Sequence, residues 1–174
     1  MVAVPETKRL STTLARDNVL QVRELGGDDW VTVYGLRQLN PKFTGEMQDD
    51  ADINGRGFGS NIATGLSYTI ALDGLRKGEV DGENFTEDPG QAIIRLAGTQ
   101  TGFNNVIEGR TWRSDGTGAA YESEFSVEYT TSDGDRVALD AWTATLMSRG
   151  EPQRIDIPTE LSAESVDYTA PVGD

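Results

Sequence analysis

Between Asn105 and Ser148 the chain repeats one pattern three times: alternating apolar and polar residues, interrupted by a short turn built on Asp and Gly. The runs are NNVIEGRTWRS, YESEFSVEYT and RVALDAWTATLMS, separated by Asp115-Gly116-Thr117-Gly118 and Ser132-Asp133-Gly134-Asp135. A period of two sends successive side chains to opposite faces, so each run buries one face and wets the other. Asp-Gly turns between such runs signal hairpins. The spacing therefore predicts an antiparallel meander over about Asn105 to Ser148.

Two further stretches read the same way. DNVLQVREL sets Val19, Gln21, Arg23 and Leu25 against Leu20, Val22 and Glu24. Gly26-Gly27-Asp28 then turns the chain into a β-rich run with Trp30, Val31, Val33 and Tyr34, which predicts a hairpin from about Val19 to Tyr34. TGLSYTIALDG sets Leu66, Tyr68, Ile70 and Leu72 against Ser67, Thr69, Ala71 and Asp73. One helix is predicted over about Pro89 to Ala97. Asp88 suits its N-cap, Pro89 its first position, Gln91 the reciprocal partner of a capping box and Gly98 its stop. Ile93, Leu96 and Ala97 would form its apolar stripe.

Residues 40–61 show neither period and contain Gly45, Gly55, Gly57 and Gly59, so they read as one long loop. Glu79 to Gly90 carries Glu79, Asp81, Glu83, Glu87 and Asp88 with no cation and reads as a solvated acidic loop. A last short run spans Arg154 to Ile157. The expected fold is a mainly β, antiparallel sandwich or barrel with one flanking helix, a long loop and extended terminal arms. A single domain over 17–158 lies between an N-terminal arm, 1–16, and an acidic tail, 159–174.

The 174 residues include no Cys and no His. Thiol nucleophiles, zinc–thiolate sites and His-dependent triads are thereby excluded, which argues against an enzyme. The 15 Lys and Arg against 29 Asp and Glu give a net charge of −14, a surface that repels nucleic-acid phosphates and anionic membranes. The sequence holds no apolar run of transmembrane length, and MVAVPETKRL lacks a secretory core, so the chain is expected to remain in its compartment of synthesis.

Asp50-Ala51-Asp52-Ile53-Asn54-Gly55 matches the first half of a calcium loop, making Asp50, Asp52 and Asn54 candidate ligands. The second half fails, since Asn61 stands where a bidentate Glu belongs, and a solvated turn is the preferred reading. Glu122, Glu124 and Glu128 share one face of a strand whose other face carries Tyr121, Phe125, Val127 and Tyr129. Carboxylates two apart on a wet face are parallel charges and not an acid–base pair across a cleft. The glycines at 55, 57 and 59 lack the strand and helix that a phosphate cradle needs. Trp30, Trp112 and Trp142 are expected as core or interface anchors, with a sugar-stacking platform as the lesser alternative.

End to end, this layout resembles the major tail tube proteins of long-tailed, siphovirus-type bacteriophages. The resembling order begins with the arm, the W-V-T-V-Y-G-L run and its following proline (Trp30 to Pro41), and the Asp/Gly-rich loop (Met47 to Asn61). A T-G-x-x-Y-x-I-x-x-x-G strand (Thr64 to Gly74), a D-P-x-Q helix start (Asp88 to Leu96) and a meander closing in G-x-P-x-x-I-x-x-P (Gly150 to Pro158) complete it. The resemblance implies six-membered rings stacked into a hollow tail of the virion, made in the cytoplasm of a host bacterium. Its partners would be further copies of itself and the tape-measure, tail-terminator and distal-tail proteins. DNA would pass through transiently without being bound, and neither cofactor nor membrane is expected. It also implies that the loop, with Phe43, Met47, Asp49, Asp50, Asp52, Arg56 and Phe58, bridges rings, and that the arm, with Lys8, Arg9 and Arg16, bridges subunits. For the wall of the lumen we favour Glu122, Glu124 and Glu128, with Ser67, Thr69 and Asp73 as the alternative face. The competing reading is a monomeric carbohydrate- or calcium-binding β-sandwich module. A small hydrolase using carboxylates ranks behind both.

Overall fold

The computed structural model describes residues 17–132 and 137–159. The arm with Lys8, Arg9 and Arg16, the tail from residue 160 and the centre of the Ser132–Asp135 turn lie outside the described residues. The strands are β1 (Asn18–Glu24), β2 (Val31–Thr32), β3 (Leu36–Asp49), β4 (Asn61–Leu75), β5 (Gly78–Asp81) and β6 (Asn84–Glu87). After the helix α1 (Pro89–Gly98) come β7 (Val106–Arg113), β8 (Ala120–Thr131), β9 (Ala141–Ser148) and β10 (Gln153–Ile155).

One antiparallel sheet runs in the order β2-β1-β7-β8-β9-β4-β3, with β10 paired to the start of β8. Leu20 and Val22 of β1, Ile107 of β7, Phe125 and Val127 of β8, Trp142 and Leu146 of β9, and Ile70 and Leu72 of β4 form one cluster with Ile94 and Ala97 of α1. Strands from both halves of the sheet feed this single core, so the sheet curls around it, and α1 packs against β1, β2, β7 and β8. The expected meander, the Val19–Tyr34 hairpin and the alternating Tyr68–Leu72 face are all present. No helix among the described residues is long and apolar enough to cross a membrane.

The helix starts as its sequence dictates, with the Asp88 side chain accepting from the Gln91 backbone N–H and Pro89 in the first turn. Two details differ. Gln91 does not return its side chain to the cap: its Nε2 donates to the carbonyls of Tyr34 and Leu75 at 2.7 and 2.9 Å, and its Oε1 accepts from Lys77 N–H at 3.2 Å. Those groups come from chain segments that reach the helix only in the folded state. The buried stripe is Gly90, Gln91, Ile94 and Ala97, while Leu96 is half exposed. A Cβ at Gly90 would stand 2.8 Å from the Thr32 carbonyl oxygen, so glycine is what lets the helix start lie against β2.

The long loop expected over 40–61 is corrected to a hairpin. β3 and β4 pair from Leu36↔Gly74 to Asp49↔Asn61, with irregularities at Leu36/Gln38 and Glu46/Met47, leaving only residues 50–60 as a loop. Nearly every side chain between Asn40 and Asn61 is exposed, so no apolar period marks the strands. Their backbone ladder supplies the order instead. Likewise, the acidic loop after Glu79 contains the small hairpin β5–β6.

Candidate functional site

Residues opposed in antiparallel pairs point to the same side of a sheet. Glu128 opposes Thr145, Thr145 opposes Ala71, and Ala71 opposes Asn40. Glu124 opposes Glu108, which opposes Arg23, and Glu122 opposes Arg110, which opposes Gln21. Ser67, Thr69 and Asp73 continue the same set along β4. The two acidic or hydroxyl-bearing surfaces read separately from the sequence are therefore parts of one outer face, opposite the face that builds the core.

This face is not uniformly acidic. Arg23 holds Glu108 through two hydrogen bonds of 2.8 and 3.1 Å, and Arg149 reaches Glu124 at 3.4 Å. The Arg23 contact, first among several causes, keeps the Glu108 carboxyl below its ordinary value. Arg23 and Arg110 both lie over the Trp30 ring, 4.3 and 4.5 Å from its centroid. Arg110 donates to the Gln21 side-chain carbonyl at 2.9 and 2.6 Å, and burial lowers the pKa of its guanidinium. Gln21, itself buried, passes its amide to the Thr32 hydroxyl. Sequence reasoning missed this ladder of Arg, Trp and Gln. Its only signal was polar Gln21 and Arg23 facing Trp30 across a predicted hairpin. Trp142 is a core anchor stacked on Tyr129, while Trp30 and Trp112 carry guanidinium groups.

The distal half of the β3–β4 hairpin projects as an arm. Met47, Ile62 and Leu66 are exposed along it, and Ile53 and Phe58 are 99% and 81% exposed at its tip. The residues read as a ring-bridging loop thus divide between this ladder (Phe43, Met47, Asp49) and its tip (Asp50, Asp52, Arg56, Phe58). At the tip, the Asp52 carboxylate accepts from Asn54 N–H at 2.9 Å, and Asp49 accepts from Ala51 N–H at 2.9 Å. These are local turn contacts. Among the described residues no group of three or more His, Cys, Asp and Glu side chains could hold a metal ion, and the hydrogen bonds within Asp49–Asn54 are those of a turn.

At the base of the arm Phe43, Leu66, Tyr68 and Tyr121 line an open groove of about 690 Å³, closed on one side by Gly150, Glu151 and Pro152. Phe43, Tyr68 and Tyr121 form an aromatic cluster, with ring centroids 4.5 to 5.9 Å apart. Tyr68 is 3% exposed and its hydroxyl has no hydrogen-bond partner among the described residues. Burial pushes its pKa up to about 12, so it stays protonated as a donor.

No family model and no curated protein matches the chain. Solved structures do. A chain in the tail of an empty gene transfer agent particle, refined with C6 symmetry, is 15% identical, with a TM-score of 0.64 over 83% of this chain and 99% of that one. A chain in the virion of a native gene transfer agent particle is also 15% identical, with a TM-score of 0.59 over 83% and 99%. A chain in the six-fold symmetrised baseplate of an anti-feeding prophage is 9% identical, with a TM-score of 0.55 over 85% and 98%. The protein has the fold of these tail and baseplate chains, as the resemblance to tail tube proteins led us to expect.

Proposed function

We propose that this protein is the structural subunit of a phage-type tail tube: six copies close a ring, rings stack, and the outer face of the sheet lines the channel. The reading is carried by a fold shared over nearly the full length of a chain from a C6-symmetric tail. The exposed apolar groups on the arm support it, because a projecting hairpin with Phe58 at its tip gains by burial against another copy. The outer face suits a conduit. Its carboxylates Asp73, Glu108 and Glu124 are held by Arg37, Arg23 and Arg149, while Glu122 and Glu128 carry no ion pair among the described residues, so the wall offers phosphates few free cations while water and ions fill the gap. The task is passive transport and not catalysis. The partners are further copies, the tape-measure, terminator and distal-tail proteins, and DNA in transit. The protein would be made in the host cytoplasm and reside in the virion tail.

Negative-stain microscopy of concentrated protein tests the assembly, with uniform rings or hollow rods as the expected result. A chain that stays monomeric at every concentration, and whose melting temperature rises with a sugar or Ca²⁺, would instead be a binding module.

A further inference from the structure

We infer that the groove at the base of the arm is the receptor for the arm tip of a second copy, Phe58 entering against Phe43, Leu66, Tyr68 and Tyr121. The inference rests on the assembly reading above and names the contact that would make it.

Three observations carry it. First, the groove is incomplete by itself. A buried hydroxyl without an acceptor is costly, and Tyr68 lies in the lining with such a hydroxyl. That hydroxyl is itself covered, so a backbone carbonyl of an incoming loop would reach it only as the aromatic lining parts to admit Phe58. Second, the tip cannot serve its own groove. The ladder from Phe43↔Tyr68 to Asp49↔Asn61 holds the tip about 20 Å away. The occupant must come from elsewhere, and the same chain displays an unburied Phe58 and Ile53 at that tip.

Third, the charges match. Arg154 opposes Tyr121 in the β8–β10 register, which sets its side chain beside the groove, and it is exposed with no ion pair among the described residues. Glu151 is also part of the lining. The tip offers the opposite signs, with Asp50 and Asp52 on one side of Phe58 in the loop and Arg56 next to it. A second groove, beside α1 and lined by Leu25, Ile93, Leu96 and Phe103, contains no buried unpaired polar atom and only Glu24 as a charge. Tip and groove are different surfaces, so the contact is heterologous. Each copy gives a tip and receives one, and the association propagates past the dimer.

The absence of cysteine makes a direct test available. In the full chain, Gly59→Cys, which leaves Phe58 in place and whose added side chain meets nothing within 4 Å, combined with Pro152→Cys and treated with a short thiol–thiol cross-linker under assembling conditions, is expected to give a ladder of covalent multimers on denaturing gels. Each single variant should give none. Assembled particles that yield no ladder, or a ladder when Gly59→Cys is combined with Leu96→Cys instead, would overturn the groove assignment and leave the tube reading intact. A chain that never associates would overturn both. Tyr68→Phe gives an independent check that does not depend on the cysteine variants. The monomer should melt at the same or a higher temperature, whereas the concentration needed for assembly should rise about tenfold, the equivalent of one hydrogen bond. Assembly at the wild-type concentration would remove Tyr68 from the contact.

Discussion

Gln91 joins three segments that are remote in sequence: the turn after β2, the end of β4 and the start of α1. It is 2% exposed and uses both donors and its acceptor on backbone groups. Gln91→Ala strands two carbonyls and an N–H in the interior, and each buried unpaired group costs about 1–3 kcal/mol. We expect a loss of about 3 kcal/mol, read from the urea midpoint. Glu108 sets part of the acid response. The Arg23 contact holds its folded pKa below 4.5, so the unfolded chain takes up the proton first as pH falls. Its contribution is complete above 4.5 and fades as pH drops through the folded value. Thermal melts from pH 6 to 3 should therefore fall less steeply for Glu108→Gln than for the wild type. Asp88 runs the other way, since burial, its largest influence, raises its pKa despite hydrogen bonds from Gln91, Tyr34 and Gly90.

Among the elements, the arm and the core separate cleanly. None of the residues between Phe43 and Leu66 belongs to the buried cluster, which begins at Tyr68 on β4 and is flanked by Leu36 and Leu39 on β3. Replacing residues 50–60 with an Asn-Gly turn should thus leave the melting temperature within a few degrees of wild type, because the removed loop buries nothing in its own subunit. The same variant should fail to form rods in the microscope. A large fall in melting temperature would mean that the tip stabilises its own domain.

For the molecule as a whole, charge distribution matters more than total charge. Glu122 and Glu124 stand beside Arg110 and Arg149, while Glu128 opposes Thr145, so the outer face mixes compensated and free carboxylates. Exposed pairs of this kind contribute only about 0–1 kcal/mol each. Changing Glu122, Glu124 and Glu128 together to Gln should therefore keep the fold, as checked by calorimetry. Changing all three to Lys should still permit assembly but retard genome delivery, measured as infectious particles per assembled particle. Unchanged infectivity would move the lumen to another surface.

How far the sequence reached can be traced residue by residue. Alternation placed Tyr68, Ile70, Leu72, Phe125 and Val127 on the apolar face of their strands, because a strand with one buried face must show that period, while for β1 it separated two faces without saying which is buried. Asp88 and Pro89 fixed the helix start, because capping is a local exchange of hydrogen bonds, whereas Gly98, read as the stop, is the last helical residue and Thr99 is the cap. The arm escaped. With both faces exposed, residues 40–49 carry no apolar pattern, and their partner strand lies across a loop that sequence alone does not close. The joining of two apparent faces into one, the stacking of Arg23 and Arg110 on Trp30, and the three-way use of Gln91 were decided by tertiary structure alone. Each depends on strand register and long-range contact, and those distances exist only once the sheet has curled around its core.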